Sequence, residues 1–88
     1  MPVRVLIPSP LRSYTAQAAW VDADGATVDE VLDDLDRRYP GIRFRMIDEQ
    51  QRMRPHVRFF VGEQQTFDLS RPLRDGEPLL IVQALSGG

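Results

Sequence analysis

The chain has 88 residues, 42% of them apolar and 27% charged, with a net charge of −2. That is enough for one domain with a modest core but leaves little room for a buried catalytic cleft, and the acidic balance disfavours nucleic acid as a partner. Cysteine is absent and histidine occurs once, as His56, which excludes a disulfide framework, a thiolate nucleophile and a zinc site built from Cys and His.

Residues 3–7, Val-Arg-Val-Leu-Ile, are β-branched and apolar and are followed by Pro8 and Pro10; they predict a first strand. Residues 8–15 then read as a loop. Residues 16–22, including Trp20 and Val21, read as a second strand paired with the first, and Asp24-Gly25 marks a turn. Thr27-Val28-Asp29-Glu30 is a capping box, in which Thr27 accepts from the amide three residues on and Glu30 reaches back to the amide of Thr27. Val28, Val31, Leu32, Leu35 and Tyr39 follow at helical spacing, a single apolar stripe. Acidic residues crowd the first turns and Arg37 and Arg38 the last, as the helix dipole favours. Pro40-Gly41 ends the element.

Residues 42–55 have no clean period and read as a connector with one helical turn around residues 44–47. Residues 57–61, Val-Arg-Phe-Phe-Val, are a third strand. Gly62-Glu63 turns it into a short fourth piece at residues 66–69. Asp75-Gly76 is a tight turn, and residues 79–82, Leu-Leu-Ile-Val, are a last strand running into Gln83-Ala84-Leu85-Ser86-Gly87-Gly88.

One helix and a small sheet can bury the helix's single stripe only if the helix covers one face of that sheet. The order strand, strand, helix, strand, short strand, strand then puts the first and last strands side by side. The expected fold is α+β, a β-grasp of the ubiquitin-like kind, with a mixed four- to five-stranded sheet and one main helix on one face. Residues 1–84 are expected to form this domain and residues 85–88 a flexible tail. Two terminal glycines carry no Cβ, so such a tail can lie extended in a narrow channel with the Gly88 carboxylate at its tip.

In this arrangement the chain resembles the ThiS/MoaD family of ubiquitin-like sulfur carriers over nearly its whole length. The residues that carry the resemblance are Phe59-Phe60-Val61-Gly62-Glu63, Leu73-Arg74-Asp75-Gly76-Glu77 and the terminal Ser86-Gly87-Gly88. Gly62 stands where the family usually has Asn, and Gln83-Ala84-Leu85 where Pro is common, departures that point away from the molybdopterin synthase subunit. The long connector ending in Arg54-Pro55-His56-Val57-Arg58 is more like that of stand-alone carriers feeding cysteine synthesis. The resemblance implies a co-substrate, not an enzyme. It implies further that an ATP-dependent activating enzyme of the ThiF/MoeB kind would adenylate Gly88, and that a sulfur donor such as a sulfurtransferase or cysteine desulfurase would convert it to a thiocarboxylate. A sulfur-acceptor synthase in molybdopterin, thiamine, cysteine or another sulfur metabolite pathway would then consume the sulfur. Leu85, Ser86, Gly87 and Gly88 would thread into the partner's active site.

The residues agree with this chemistry. There is no Gly-rich phosphate loop, so no cofactor is expected on this chain and ATP belongs to the partner. Without Cys, sulfur carried covalently must sit on the terminus. All eleven basic residues are Arg, so no side-chain amine is available for isopeptide bonds. Two alternatives are a ubiquitin-like modifier joined through Gly88 to other proteins, and a β-grasp binding module whose diglycine is incidental.

Strand alternation puts Leu79 and Ile81 toward the helix and Leu80 and Val82 away from it, with Phe60 joining the outer face. Phe60, Leu80 and Val82 are therefore the expected partner-docking surface. Asp29, Glu30, Asp33, Asp34 and Asp36 read as a solvated helix face, not a metal site. Arg43, Arg45, Arg52 and Arg54 read as a solvated loop, Trp20 and Tyr14 as packing residues, and His56 as non-catalytic. No stretch approaches the roughly 20 apolar residues of a membrane span, and the expected location is the cytoplasm.

Overall fold

A computed structural model describes residues 2–84. Helix α1, Val28–Arg38, begins at Thr27, whose hydroxyl accepts the Glu30 N–H at 3.2 Å. Glu30 closes the turn one residue earlier than the capping box predicts, accepting the Ala26 N–H at 2.9 Å. Two further N–H groups of the first turn are satisfied from outside the helix. Val28 donates to the carbonyl of Arg71 and Asp29 to that of Leu69, so the segment before the last strand caps the helix as well. Gly25 lies where a Cβ would come within 2.6 Å of the Val31 nitrogen; no side chain fits between the entry to α1 and its first turn.

The strands are β1 Pro2–Leu6, β2 Trp20–Asp24, β3 Val57–Val61, β4 Gln64–Thr66 and β5 Leu79–Gln83. They form one five-stranded sheet in the order β2-β1-β5-β3-β4. β1 and β5 pair in parallel at its centre, with Val5 opposite Leu79 and Leu6 opposite Leu80. The other pairings are antiparallel. β2 starts four residues later than expected. Residues before it form a 3-10 helix, Ser9–Thr15, that ends on two left-handed residues, Ala16 and Gln17, with the Thr15 hydroxyl hydrogen-bonded to the carbonyls of Arg12 and Ala18. β4 is Gln64–Thr66, not residues 66–69, because the Asp68 N–H turns back to the Thr66 hydroxyl and the Asp68 carboxylate takes the N–H and hydroxyl of Ser70, an Asx turn that leaves the ladder.

Val28, Val31, Leu32 and Leu35 of α1 are fully buried in one cluster with Val5, Phe59, Leu79 and Ile81. Each such side chain contributes about 1.5–3 kcal/mol of burial. The connector also contributes to this core. Ile42, Met46 and Ile47 are buried there, although no local period announces them.

The acidic stripe of α1 is not uniformly solvated. Asp34 is only 7% exposed. Its carboxylate accepts the Asp24 N–H at 2.8 Å, Arg37 at 2.8 Å and Arg38 at 2.7 Å, so it pins the helix to the end of β2. Those contacts, the Asp24 amide first, hold its pKa well below the usual carboxylate range. Arg43 likewise lies against the helix, 2.9 Å from Asp29 and 3.3 Å from Asp33, while Asp36 accepts the N–H groups of Gly41 and Arg43. These residues staple the connector to α1.

Candidate docking face and C-terminal exit

The register of the strands determines what the sheet's open side presents. Leu6 lies opposite both Trp20 and Leu80, and Leu80 lies opposite Phe60. Because Val3, Val5, Val21, Ala23, Phe59, Leu79 and Ile81 are buried on the helix side, pleating puts Leu6, Trp20, Leu80 and Phe60 together on the other. They form one transverse apolar row across β2, β1, β5 and β3. Val82 continues it along β5 and is 42% exposed, as is Trp20; Leu6, Phe60 and Leu80 are half-buried.

Arginines frame the row. The Arg4 guanidinium lies 5.2 Å over the Trp20 ring and 3.4 Å from Asp22, and Arg58 stands opposite Val82. Trp20 is thus part of the open surface and not a core residue. The parity of β2 could have shown this, since burying Val21 and Ala23 turns Trp20 outward. Leu6 follows from Val3 and Val5 in the same way.

The face adjoins the point where the chain leaves the sheet. Gln83 pairs with Val57, and the Ala84 N–H donates to the His56 carbonyl at 2.7 Å, so the β3–β5 ladder holds the backbone up to Ala84. Leu85, Ser86, Gly87 and Gly88, the expected threading segment, lie outside the described residues. His56 is exposed beside this exit. Among the described residues there is no cluster of three or more His, Cys, Asp or Glu side chains that could hold a metal ion, and no helix is long and apolar enough to cross a membrane.

A mixed five-stranded sheet with parallel central strands and one main helix on one face defines a β-grasp protein of the ubiquitin-like class. Residues 5–88 match the ThiS family, and the chain belongs to it. Over 93 aligned residues covering 100% of both chains, it is 32% identical to the sulfur carrier protein CysO of Mycobacterium tuberculosis. A chain in the crystal structure of the Amycolatopsis orientalis BexX/CysO complex superposes with a TM-score of 0.89 at 34% identity, covering 98% of this chain and 99% of that one. Crystalline M. tuberculosis CysO gives 0.88 at 30% identity, over 94% and 99%. SAMP1 from Haloferax volcanii gives 0.83 at 20% identity over the full length of both chains, a likeness of fold.

Proposed function

We propose that the chain is a sulfur carrier, a protein co-substrate whose Gly88 carboxylate is adenylated by a ThiF/MoeB-like enzyme and then converted to a thiocarboxylate. One observation carries this reading: the chain corresponds end to end with a protein named as a sulfur carrier. Its own chemistry is consistent with that role. A free carboxylate is a poor electrophile. Attack by Gly88 on the α-phosphorus of the partner's ATP releases pyrophosphate and leaves AMP as a good leaving group. A sulfur donor then displaces AMP at the acyl carbon. With no Cys in the chain, the terminus is the group left to carry sulfur covalently.

In this reading Phe60, Leu80 and Val82, with Leu6 and Trp20 beside them, dock the activating enzyme and later the acceptor synthase. Leu85, Ser86, Gly87 and Gly88 reach into those active sites. The length of the connector favours a stand-alone carrier of cysteine synthesis over a molybdopterin synthase subunit, acting in the cytoplasm. The modifier alternative has only the fold likeness to SAMP1 behind it.

The test is pyrophosphate exchange. With the activating enzyme encoded nearest to it, the intact chain should drive exchange of labelled pyrophosphate into ATP. A form carrying one extra residue after Gly88 should not, since near-attack geometry tolerates little displacement. Equal exchange by both forms would contradict the reading.

A further inference from the structure

The 3-10 segment Ser9–Thr15 and the connector meet at the end of the sheet from which the chain leaves β5. Between them lies an open recess of about 660 Å³, whose lining includes Tyr14, Phe44, Arg45, Arg54, His56 and Gln83. Both arginines are fixed through Nε. Arg45 donates to the Tyr14 hydroxyl at 2.8 Å. Arg54 donates to the Phe44 carbonyl at 2.8 Å, with its guanidinium 4.7 Å from the Phe44 ring centroid. These anchors are neutral, so they orient the two forks without compensating their charge.

Among the described residues, no Asp or Glu lines the recess and no carboxylate lies within ion-pair distance of either arginine, although Arg54 is close enough to Asp48 to help hold that carboxyl below its usual range. Arg4, Arg37, Arg38, Arg43, Arg52 and Arg71 each lie within ion-pair distance of a carboxylate; among the described residues Arg12, Arg58 and Arg74 do not, but only Arg45 and Arg54 come together in one recess. In a chain of net charge −2, this end therefore holds a local excess of positive charge with oriented, unused terminal N–H donors. Such a fork suits a planar carboxylate, which it can grip through two parallel hydrogen bonds. The Tyr14 and Phe44 rings provide walls for the stem of the side chain that bears it. The net negative charge opposes polyphosphates and nucleic acid at longer range.

We propose that this recess binds an Asp or Glu side chain of the protein that receives the C-terminus. The identity of that partner rests on the carrier reading, whereas the affinity for a carboxylate does not. Gln83 lines the recess and Ala84 is tied to His56, so the recess lies beside the point from which a partner would take the residues after Ala84. The acid and the apolar row would then be engaged together, the row supplying contact area and the acid setting orientation.

The test is an NMR titration of the full chain with a short peptide containing two Glu residues, blocked at both ends. The signals read are the Arg45 and Arg54 Nε–H groups and the ring of His56, which is the only histidine, with the indole of Trp20, the only tryptophan, as a control on the open face. Saturable shifts at Arg45, Arg54 and His56 are expected, with Trp20 unmoved and no response to the matching Gln peptide. Arg45→Gln with Arg54→Gln should weaken binding by about two- to fivefold, the scale of exposed ion pairs. Arg45→Gln alone, at an exposed position, gives a smaller loss in the same direction and keeps the test open if the double variant unfolds. The site is refuted by unsaturable shifts, by an equal response to the Gln peptide, or by tighter binding of inorganic phosphate at matched ionic strength. It is also refuted if the double variant moves the Gly88 amide signal without peptide, which would make the chain's own terminus the occupant. No ATP or activating enzyme is present, so this outcome is independent of whether Gly88 is adenylated.

Discussion

On the helix side of the sheet, Val5, Phe59, Leu79 and Ile81 are fully buried. Their sequence neighbours Leu6, Phe60, Leu80 and Val82 point the other way, and Val82, like Trp20, stays 42% exposed. Both sets are apolar and sit on the same strands, yet only the first is covered by α1. An isolated exposed apolar residue needs no explanation. Here the register places Trp20, Leu6, Leu80 and Phe60 in one row, and a contiguous patch beside the exit of the chain is what a docking surface requires. The alternate residues of one strand thus differ in role: one parity holds the fold, and the other forms the face assigned to docking in the proposed function.

The sharpest way to break this contrast is along β5. Ile81→Ala should cost about 2–5 kcal/mol of unfolding free energy, and Leu32→Ala on the facing helix a similar amount. Val82→Ala should stay within about 0.5 kcal/mol in the same urea titrations. If the costs are reversed, the assignment of faces is wrong.

A smaller effect is expected at the staple between α1 and β2. The folded-state pKa of Asp34 lies well below that of an ordinary aspartate, about 3.9, so its contribution to stability is fully present above that ordinary value and is lost as pH falls through the folded pKa. Wild-type urea midpoints should therefore fall on acidification below about pH 4, and Asp34→Asn should remove part of that fall while lowering the midpoint at neutral pH. Identical pH profiles for the two proteins would remove Asp34 from the account.

The smallest change in stability is expected on the open face itself. Val82→Asp should leave the fold intact while weakening binding to the activating enzyme by about tenfold or more, as for a residue central to an interface. Phe60→Asp should act in the same direction, whereas Ile81→Asp should unfold the domain. Undiminished binding by folded Val82→Asp and Phe60→Asp proteins would leave the apolar row without a partner role.

Much of this was readable before any coordinates. The capping residues Thr27 and Glu30 and the stripe from Val28 to Leu35 are local signals, and so is the alternation in residues 57–61 and 79–82 that separates Phe59 from Phe60 and Ile81 from Val82. What local pattern could not supply was set by distant contacts. Ile42, Met46 and Ile47 are core residues in a connector that Arg43 and Asp36 staple to α1, contacts that lie outside any local pattern. Asp34 belongs by sequence to the solvated acidic stripe, and its burial comes from the end of β2, ten residues away, whose Asp24 N–H it accepts. The recess beside Gln83 brings together residues from three separated stretches, with Arg45 and Tyr14 in contact across 31 positions. The diglycine that most strongly suggested a carrier lies beyond the described residues, so its role is a question for chemistry.

That question has a direct measurement, the intact mass of the chain after incubation with its activating enzyme, ATP and a sulfur donor. A gain of about 16 Da is expected, one terminal oxygen replaced by sulfur in a chain with no thiol to carry it elsewhere. Deleting Gly88 should abolish the gain, and Gly87→Val should reduce it while leaving the fold intact. An unchanged mass for the intact chain, or the same gain after Gly88 is deleted, would contradict the carrier reading.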